Sequence, residues 1–190
     1  MKATMYIKKI ITKLKCWKCG INSGGGWIHP LAEIKKYENG EIAFGENVIL
    51  HKGVRIDAAG KIILGMGTDV NTYTRIESAS LVEIGKDVLI GPNVYISDRS
   101  HQYKDVDMPI KMQGYYTRGN LKIGNGTWIG IHACVIGNVE VGKGCVIGAN
   151  AVVTKNIPDY CVVVGNPARI VKRYDFKEKK WIKMDENKTI

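Results

Sequence analysis

The stretch between residues 123 and 157 repeats every six residues, and this period constrains the fold more than any other feature of the chain. An α-helix repeats every 3.6 residues and a strand every two, so neither predicts a strict six-residue period. A chain that coils through flat faces of about six residues does, because each face directs one aliphatic side chain at the axis. The aliphatic positions are Ile123, Ile129, Val135, Val141, Ile147 and Val153, and glycine follows four of them, at Gly124, Gly130, Gly142 and Gly148.

The same pattern continues upstream in three sets, and each junction between sets slips by two residues. We interpret the slips as bulges or turn insertions and predict about five coils, more than the roughly three repeats that a solenoid needs. The upstream positions are Phe44, Leu50 and Ile56, then Leu64, Val70 and Ile76, then Ile84, Ile90 and Ile96. A second inward row comprises Val88, Val94, Thr127, Ala133, Val139, Cys145, Ala151 and Ile157.

Composition and length fit one domain with a hydrophobic core, and the six-residue repeat predicts that this domain is all-β. The chain has 190 residues, of which 45% are hydrophobic, and it contains no apolar run of membrane-spanning length. We find no signal peptide and expect a cytoplasmic protein. A single C-x-x-C, from Cys16 to Cys19, has no second pair and no nearby histidine, so we expect no zinc site there.

The first 18 residues contain six lysines and no acidic residue. Ile7, Ile10, Ile11 and Leu14 share one face of a helix, which predicts a basic amphipathic helix. Such a helix can cap the open end of a solenoid or contact an anionic membrane surface, and the two roles are compatible. We therefore expect capping, with peripheral membrane contact through residues 1–18 as an additional hypothesis.

The six-residue repeat divides the chain into three segments. Residues 1–27 form the helix and a glycine-rich linker, residues 28–173 the solenoid, and residues 174–190 a charged tail that begins as a short helix. Residues 97–120 break the rhythm and predict a protruding loop, a frequent location for functional residues. His101 stands where the coil gives way to this loop and is a candidate general base. Asp98, three residues earlier, is a candidate for orienting its imidazole.

From Gly124 to Lys172 the sequence resembles the C-terminal half of the hexapeptide-repeat acyltransferases, which fold as left-handed parallel β-helices. The matching segments are residues 123–130 (IGNGTWIG), residues 146–158 (VIGANAVVTKNIP) and residues 165–169 (GNPAR). The resemblance implies a left-handed β-helix, acetyl-CoA as co-substrate with no metal, and a homotrimer with active sites between subunits.

The resemblance also implies roles for individual residues. His101 would deprotonate the acceptor, and Asn71 would contact it. The galactoside and maltose acetyltransferase branch has a serine after Trp-Ile-Gly, where this chain has Ile131. A backbone N–H around Gly130 or Ile131 would then stabilise the oxyanion. The cofactor-binding positions implied are Trp128, Gly130, Ile131, Ala149, Thr154, Lys155, Arg169 and Lys172.

The segments Ile96-Ser97-Asp98-x-x-His101 and Pro109-Ile110-x-x-Gln113 are most similar to polysaccharide O-acetyltransferases. We therefore expect acetyl transfer to a sugar hydroxyl in surface polysaccharide biosynthesis. That galactoside and maltose branch also uses an acidic residue where this chain has Ser78 and Ala79, which argues against a free galactoside or maltose acceptor. The alternative acceptors are an amino-sugar nucleotide, serine or an antibiotic.

Two further hypotheses belong to other classes of protein. A γ-class carbonic anhydrase uses the same solenoid but needs three histidines that converge on zinc, for which His51, His101 and His132 are available. A non-catalytic scaffold would bind no coenzyme A.

Overall fold

In the computed structural model, residue 7, residues 10–16 and residues 24–184 are described. Short strands wind into a parallel solenoid with three faces, and each strand pairs with the equivalent strand one coil away. The first corner joins the first face to the second, the second corner joins the second to the third, and the third corner returns the chain to the first face.

The strands belong to four sheets, one on each face and one outside the coil, which consists of β12 (Arg99–His101) and β13 (Tyr115–Thr117). The first face contains β1 (Trp27–Ile28), β4 (Ile49–Leu50), β7 (Asp69–Val70), β10 (Leu89–Ile90), β15 (Trp128–Ile129), β18 (Val146–Ile147), β20 (Cys161–Val164), β21 (Arg169–Asp175) and β22 (Lys180–Lys183). The second face contains β2 (Glu33–Lys36), β5 (Arg55–Ala58), β8 (Arg75–Ser78), β11 (Tyr95–Ser97), β16 (Cys134–Ile136) and β19 (Val152–Val153). The third face contains β3 (Glu41–Phe44), β6 (Lys61–Leu64), β9 (Leu81–Ile84), β14 (Asn120–Ile123) and β17 (Glu140–Val141).

The two predicted inward rows fill the axis of the solenoid. All of their members are buried except Phe44, which is half-buried in the first coil. Each buried aliphatic side chain stabilises the fold by about 1.5 to 3 kcal/mol relative to exposure. Burial also raises the pKa of the Cys145 thiol to about 11, so this cysteine is a neutral core residue as predicted.

The slips between sets are turn insertions at the second corner, as predicted. The second and third coils are 20 residues long, since Ile49 pairs with Asp69 and Asp69 with Leu89. The coil that begins at Trp128 is 18 residues long, since Trp128 pairs with Val146. The two additional residues of an upstream coil lie between β5 and β6, at residues 59–60. The solenoid is longer than the five coils predicted, because seven strands from β1 to β20 stack on the first face.

The N-terminal helix is present over residues 10–16 and caps the first coil. Thr12 and Cys16 are buried, and the Thr12 Oγ1 accepts a hydrogen bond from the Ile28 N–H at 3.0 Å. The Lys15 Nζ donates to the Ala32 carbonyl at 2.5 Å. Capping is therefore confirmed for this helix.

The helix face that caps the solenoid is not the apolar face of the sequence pattern. Ile7, Ile10 and Leu14 are 58%, 57% and 53% exposed. No helix in the described part of the chain is long and apolar enough to cross a bilayer. The Cys19 position and residues 17–23 of the predicted linker lie outside the described residues.

The predicted C-terminal helix is wrong. The chain instead forms the antiparallel pair β21–β22, and β21 runs through the predicted boundary at residue 174. The Asp175 carboxylate accepts hydrogen bonds from the Lys177 and Glu178 N–H groups and shapes a turn. The Tyr174 and Trp181 rings then pack across the strands with their centroids 5.4 Å apart.

Candidate active site

The chain leaves the coil after β11, at the second corner, and rejoins it at β14. The excursion, here called the arm (residues 98–119), coincides with the predicted loop. Its base is a short antiparallel ribbon of β12 (Arg99–His101) and β13 (Tyr115–Thr117), and a 3-10 helix (Ile110–Met112) lies near its tip. The Arg118 N–H donates to the Asp98 carbonyl at 2.7 Å and closes the base.

His101 occupies the last position of β12, where it pairs with Tyr115 across the ribbon. The imidazole is exposed, and its centroid lies 4.4 Å from that of the Tyr115 ring. A rigid coil therefore supports an accessible histidine through a two-stranded stem, which suits a group that exchanges a proton with a bound substrate.

Asp98 has a different role from the one predicted. Its carboxylate accepts hydrogen bonds from the N–H groups of Ala79, Ser80 and Leu81 at 2.6, 2.8 and 2.8 Å, and the Ser78 hydroxyl lies 3.3 Å away. One coil earlier, the carbonyls of Ser78 and Ser80 accept the equivalent N–H groups.

The arm explains this change of acceptor. Because the chain departs at residue 98, the next coil has no corner carbonyls to offer, and the fully buried carboxylate of Asp98 replaces them. Its hydrogen bonds support the corner from which the arm starts, and none joins it to the His101 imidazole in the described chain.

The Pro109-Ile110-x-x-Gln113 motif shapes the outer part of the arm. The Gln113 side chain donates to the carbonyls of Asp105 and Met108, both at 2.7 Å, and accepts from the Asp105 N–H at 3.2 Å. The Gln102 N–H donates to the Gly114 carbonyl at 3.0 Å. One amide side chain therefore ties the two sides of the tip together.

The first corner presents backbone N–H groups on consecutive coils. The Gly130 N–H already donates to the Ile147 carbonyl at 2.7 Å, which removes it as an oxyanion donor. The N–H groups of Ile131 and Ala149 donate to no acceptor among the described residues, and both residues are exposed. The Asn150 N–H bonds the Ile131 carbonyl at 3.0 Å, so these two corners are directly stacked.

Gly130 is required by the close approach of these coils. A Cβ at this position would lie 2.7 Å from the Ala149 nitrogen. Because the Gly130 N–H is already bonded to the Ile147 carbonyl, the Ile131 N–H is the remaining one of the two predicted donors to an oxyanion.

An apolar strip runs down the first face beside this corner and ends in cations. The register aligns Leu89, Trp128 and Val146, and then Val162 with Lys172. Trp128 is 51% exposed. Arg169 begins β21 at the same end of the solenoid, and both cations are exposed. This arrangement fits a ligand with an apolar stem and an anionic end, as acetyl-CoA has.

The remaining predicted residues divide between two corners. Asn71 lies on the first corner, two coils before Gly130, where its Oδ1 accepts from the Thr72 N–H at 2.7 Å. Thr154 and Lys155 are exposed on the second corner, on the C-terminal side of the arm. The second face separates the two corners, so one chain does not bring His101 and the Ile131 corner into contact through any described interaction.

The three histidines of the carbonic anhydrase hypothesis lie in separate places. His51 pairs with Asp69 at 2.9 Å near the N-terminal end, His132 is on the first corner, and His101 is on the arm. Among the described residues, no group of three His, Cys, Asp or Glu side chains could hold a metal ion.

Sequence reasoning missed Tyr115, which packs against His101, and also Arg99 and Glu77, which connect Tyr115 to the coil. The alternation of β12 could have placed Arg99 and His101 on one face of the ribbon. The pairing of His101 with Tyr115 depends on the arm's register, for which the sequence gives no signal.

Comparisons with known proteins agree with the fold. Residues 120–155 match the family model described as bacterial transferase hexapeptide (six repeats). A protein of Escherichia coli K12 assigned as the lipopolysaccharide biosynthesis O-acetyl transferase WbbJ is 36% identical over 154 residues, which cover 76% of this chain and 78% of that protein.

Two solved structures are also similar. A maltose O-acetyltransferase from Clostridium difficile 630 superposes with a TM-score of 0.63 at 31% identity, covering 70% of this chain and 71% of that one. The acetyltransferase domain of PglB from Neisseria gonorrhoeae FA1090, in complex with acetyl coenzyme A, gives a TM-score of 0.59 at 26% identity. That match covers 87% of this chain and 66% of the other.

Proposed function

The chain belongs to the bacterial hexapeptide-repeat transferases, whose fold is the left-handed β-helix, and we propose that it transfers an acetyl group from acetyl-CoA to a sugar hydroxyl in surface polysaccharide biosynthesis. The relatives named for O-acetyl transfer support the reaction, and the PglB complex supports the co-substrate. The observation that matters most is the exposed imidazole of His101 on a supported arm.

In the proposed mechanism, His101 accepts the proton of the acceptor hydroxyl as the oxygen attacks the thioester carbonyl. The Ile131 N–H donates to the oxyanion of the tetrahedral intermediate. When the intermediate collapses, the carbon–sulfur bond breaks and coenzyme A leaves as a thiolate, which takes the proton from the imidazolium. The products are the acetyl ester and free coenzyme A.

A second copy of the chain is needed to complete this site. His101 and the Ile131 corner lie on different corners of one solenoid, so the arm of one subunit would meet the first corner of another, within a homotrimer. The arm is suited to such contact, because Val106, Ile110 and Met112 are 93%, 55% and 68% exposed.

The test is release of coenzyme A from acetyl-CoA in the presence of sugars, nucleotide sugars, serine and antibiotics. Turnover with sugar hydroxyl acceptors alone supports the proposal, whereas turnover confined to serine or to an antibiotic favours that alternative acceptor. Turnover confined to amino acceptors would favour the N-acetyltransferase alternative, and absence of acetyl-CoA binding would favour a non-catalytic scaffold.

Lys155→Ala and Arg169→Ala are expected to raise the KM for acetyl-CoA more than they lower kcat. Both side chains are exposed cations that would attract the phosphates of acetyl-CoA equally in the ground state and in the transition state. They would therefore raise the affinity for acetyl-CoA without raising kcat. Initial rates at low and high salt check this, since the effect should shrink as salt rises. Lys122→Ala, an exposed lysine on the third face, is the matched control. An unchanged KM in both variants at low salt contradicts the assignment.

We propose in addition that the N-terminal helix holds the enzyme at the inner face of the membrane, where lipid-linked acceptors would be met. The replacement of Ile10 and Leu14 by serine is expected to weaken binding to anionic vesicles about 10- to 100-fold, because both side chains are exposed and would enter the lipid interface. The thermal midpoint should not change.

Co-sedimentation with vesicles of anionic and of neutral lipid measures this effect. Phe176→Ser, at an equally exposed position far from the helix, is the control. If the unmodified protein does not sediment with anionic vesicles at low salt, the helix acts as a cap alone.

A further inference from the structure

Glu77 is a buried carboxylate on the outward side of the second face. Its side chain is 4% exposed, although it lies on a strand surface that faces away from the core. The Tyr95 hydroxyl donates to its Oε2 at 2.7 Å, and the guanidinium groups of Arg75 and Arg99 pair with its Oε1. Burial raises the pKa of Tyr95, so this hydroxyl stays protonated and remains a donor.

Arg99 connects this carboxylate to the arm. Its Nη2 lies 3.4 Å from the Glu77 Oε1, and its side chain is 20% exposed. The other side of the guanidinium lies over the Tyr115 ring, with the Cζ 4.5 Å from the ring centroid. The Tyr115 ring in turn packs against the His101 imidazole. A continuous series of contacts thus leads from the rigid coil to the histidine.

We propose that Glu77, Arg99 and Tyr115 are positioning residues that fix the His101 imidazole for proton transfer. The inference rests on the proposed function of His101 as the general base. A base must be held within about 0.5 Å and 10–20° of its productive geometry, and packed neighbours supply that restraint. The ribbon supplies only three residue pairs, and His101 is at its outer end. Side-chain contacts with the coil therefore add the restraint that the backbone lacks.

Glu77 directly precedes Ser78 and Ala79, where the galactoside and maltose branch has its acidic residue, but it is less suited to contact the acceptor sugar. Both of its oxygens already interact with Tyr95, Arg75 and Arg99. Arg75 and Arg99 pair with the same oxygen, so the carboxylate keeps a cationic partner when Arg99 is replaced. Arg99 is the member that reaches the arm, and its substitution is the most informative.

Arg99→Met is expected to lower kcat about 10- to 100-fold, the usual consequence of a base misplaced by about 1 Å, with the KM for acetyl-CoA within about twofold of the unmodified enzyme. The kcat of Arg99→Lys should lie between those of Arg99→Met and the unmodified enzyme, because lysine retains the charge beside Glu77 but not the planar contact with Tyr115. Arg55→Met is the matched control, since Arg55 pairs with Glu33 at 3.3 Å on the same face, far from the arm.

A double variant tests whether Arg99 acts through His101. In a His101→Ala background, Arg99→Met should cause no further loss of the residual rate, because residues that act as one unit are not additive. An equal loss in both backgrounds, or an effect on KM alone, would overturn the proposal.

Nuclear magnetic resonance of the histidine ring protons gives a readout independent of turnover. The chain has four histidines, so His101→Asn identifies the His101 signal. The Tyr115 ring current should displace this signal, Tyr115→Leu should abolish the displacement, and Arg99→Met should reduce it. An undisturbed His101 signal in Arg99→Met overturns the positioning role. Absence of turnover in the unmodified protein refutes the proposed function instead, and these two failures are distinguishable.

Discussion

His101→Ala is expected to lower kcat about 10²- to 10⁴-fold while the thermal midpoint and the KM for acetyl-CoA stay close to those of the unmodified enzyme. The imidazole is exposed at the end of β12, so its removal opens no cavity in the core. A sugar hydroxyl is a poor nucleophile near neutral pH, and the barrier rises when no base receives its proton as the new bond forms.

Steady-state kinetics and a thermal melt check this result, with His29→Ala as the control histidine at the N-terminal end of the solenoid. A loss of turnover accompanied by a large fall in thermal midpoint would show that His101 supports the arm. Near-normal turnover would show that His101 is not the general base. The base would then be sought on the first corner, where His132 is exposed.

The core of this protein was predictable because one physical requirement repeats. Each face of the coil must bury at least one aliphatic side chain, so residues such as Ile90, Ile129 and Ile147 mark the axis in the sequence. The corners also have a local signature, since coils that stack closely exclude a Cβ at positions such as Gly130. Repetition of this kind determines the fold without any long-range information.

The errors share a different cause, which is that the deciding contact is distant in sequence. The charged tail has a composition compatible with a helix, but the edge of β20 and the packing of Tyr174 on Trp181 favour strands. The exposed face of the N-terminal helix is apolar, and only the burial of Thr12 and Cys16 shows which side caps the coil. The local sequence pattern predicts neither the strands of the tail nor the buried face of the helix.

The candidate site was partly predictable for the same reason. Ile131 and Ala149 occupy defined positions of the repeat and His101 stands where the repeat ends, while their roles are implied by the family resemblance and stay predictions. The supporting residues Glu77 and Arg99 belong to different coils and meet only because β8 and β11 pair in register. The arm interrupts the repeat, so its internal pairing could not be derived from the period.

Asp98→Ala is expected to lower the free energy of unfolding by about 3 kcal/mol, because each backbone donor left without an acceptor costs about 1 kcal/mol or more. The variant leaves three N–H groups of the corner at residues 79–81 without their acceptor, in a place where the departing chain offers no carbonyl. Asp98→Asn should have a smaller effect, because an amide oxygen can still accept some of these bonds.

Chemical denaturation of the two variants, followed by circular dichroism, measures the change. Asp105→Ala is the matched control, since its exposed carboxylate accepts one hydrogen bond at the tip of the arm, from the Asp107 N–H at 3.0 Å. If Asp98→Ala keeps full stability but loses turnover, the carboxylate acts on His101, as its sequence position first suggested. A loss of stability in both Asp98 variants that is absent from the control instead shows that this carboxylate replaces the missing corner carbonyls at the base of the arm.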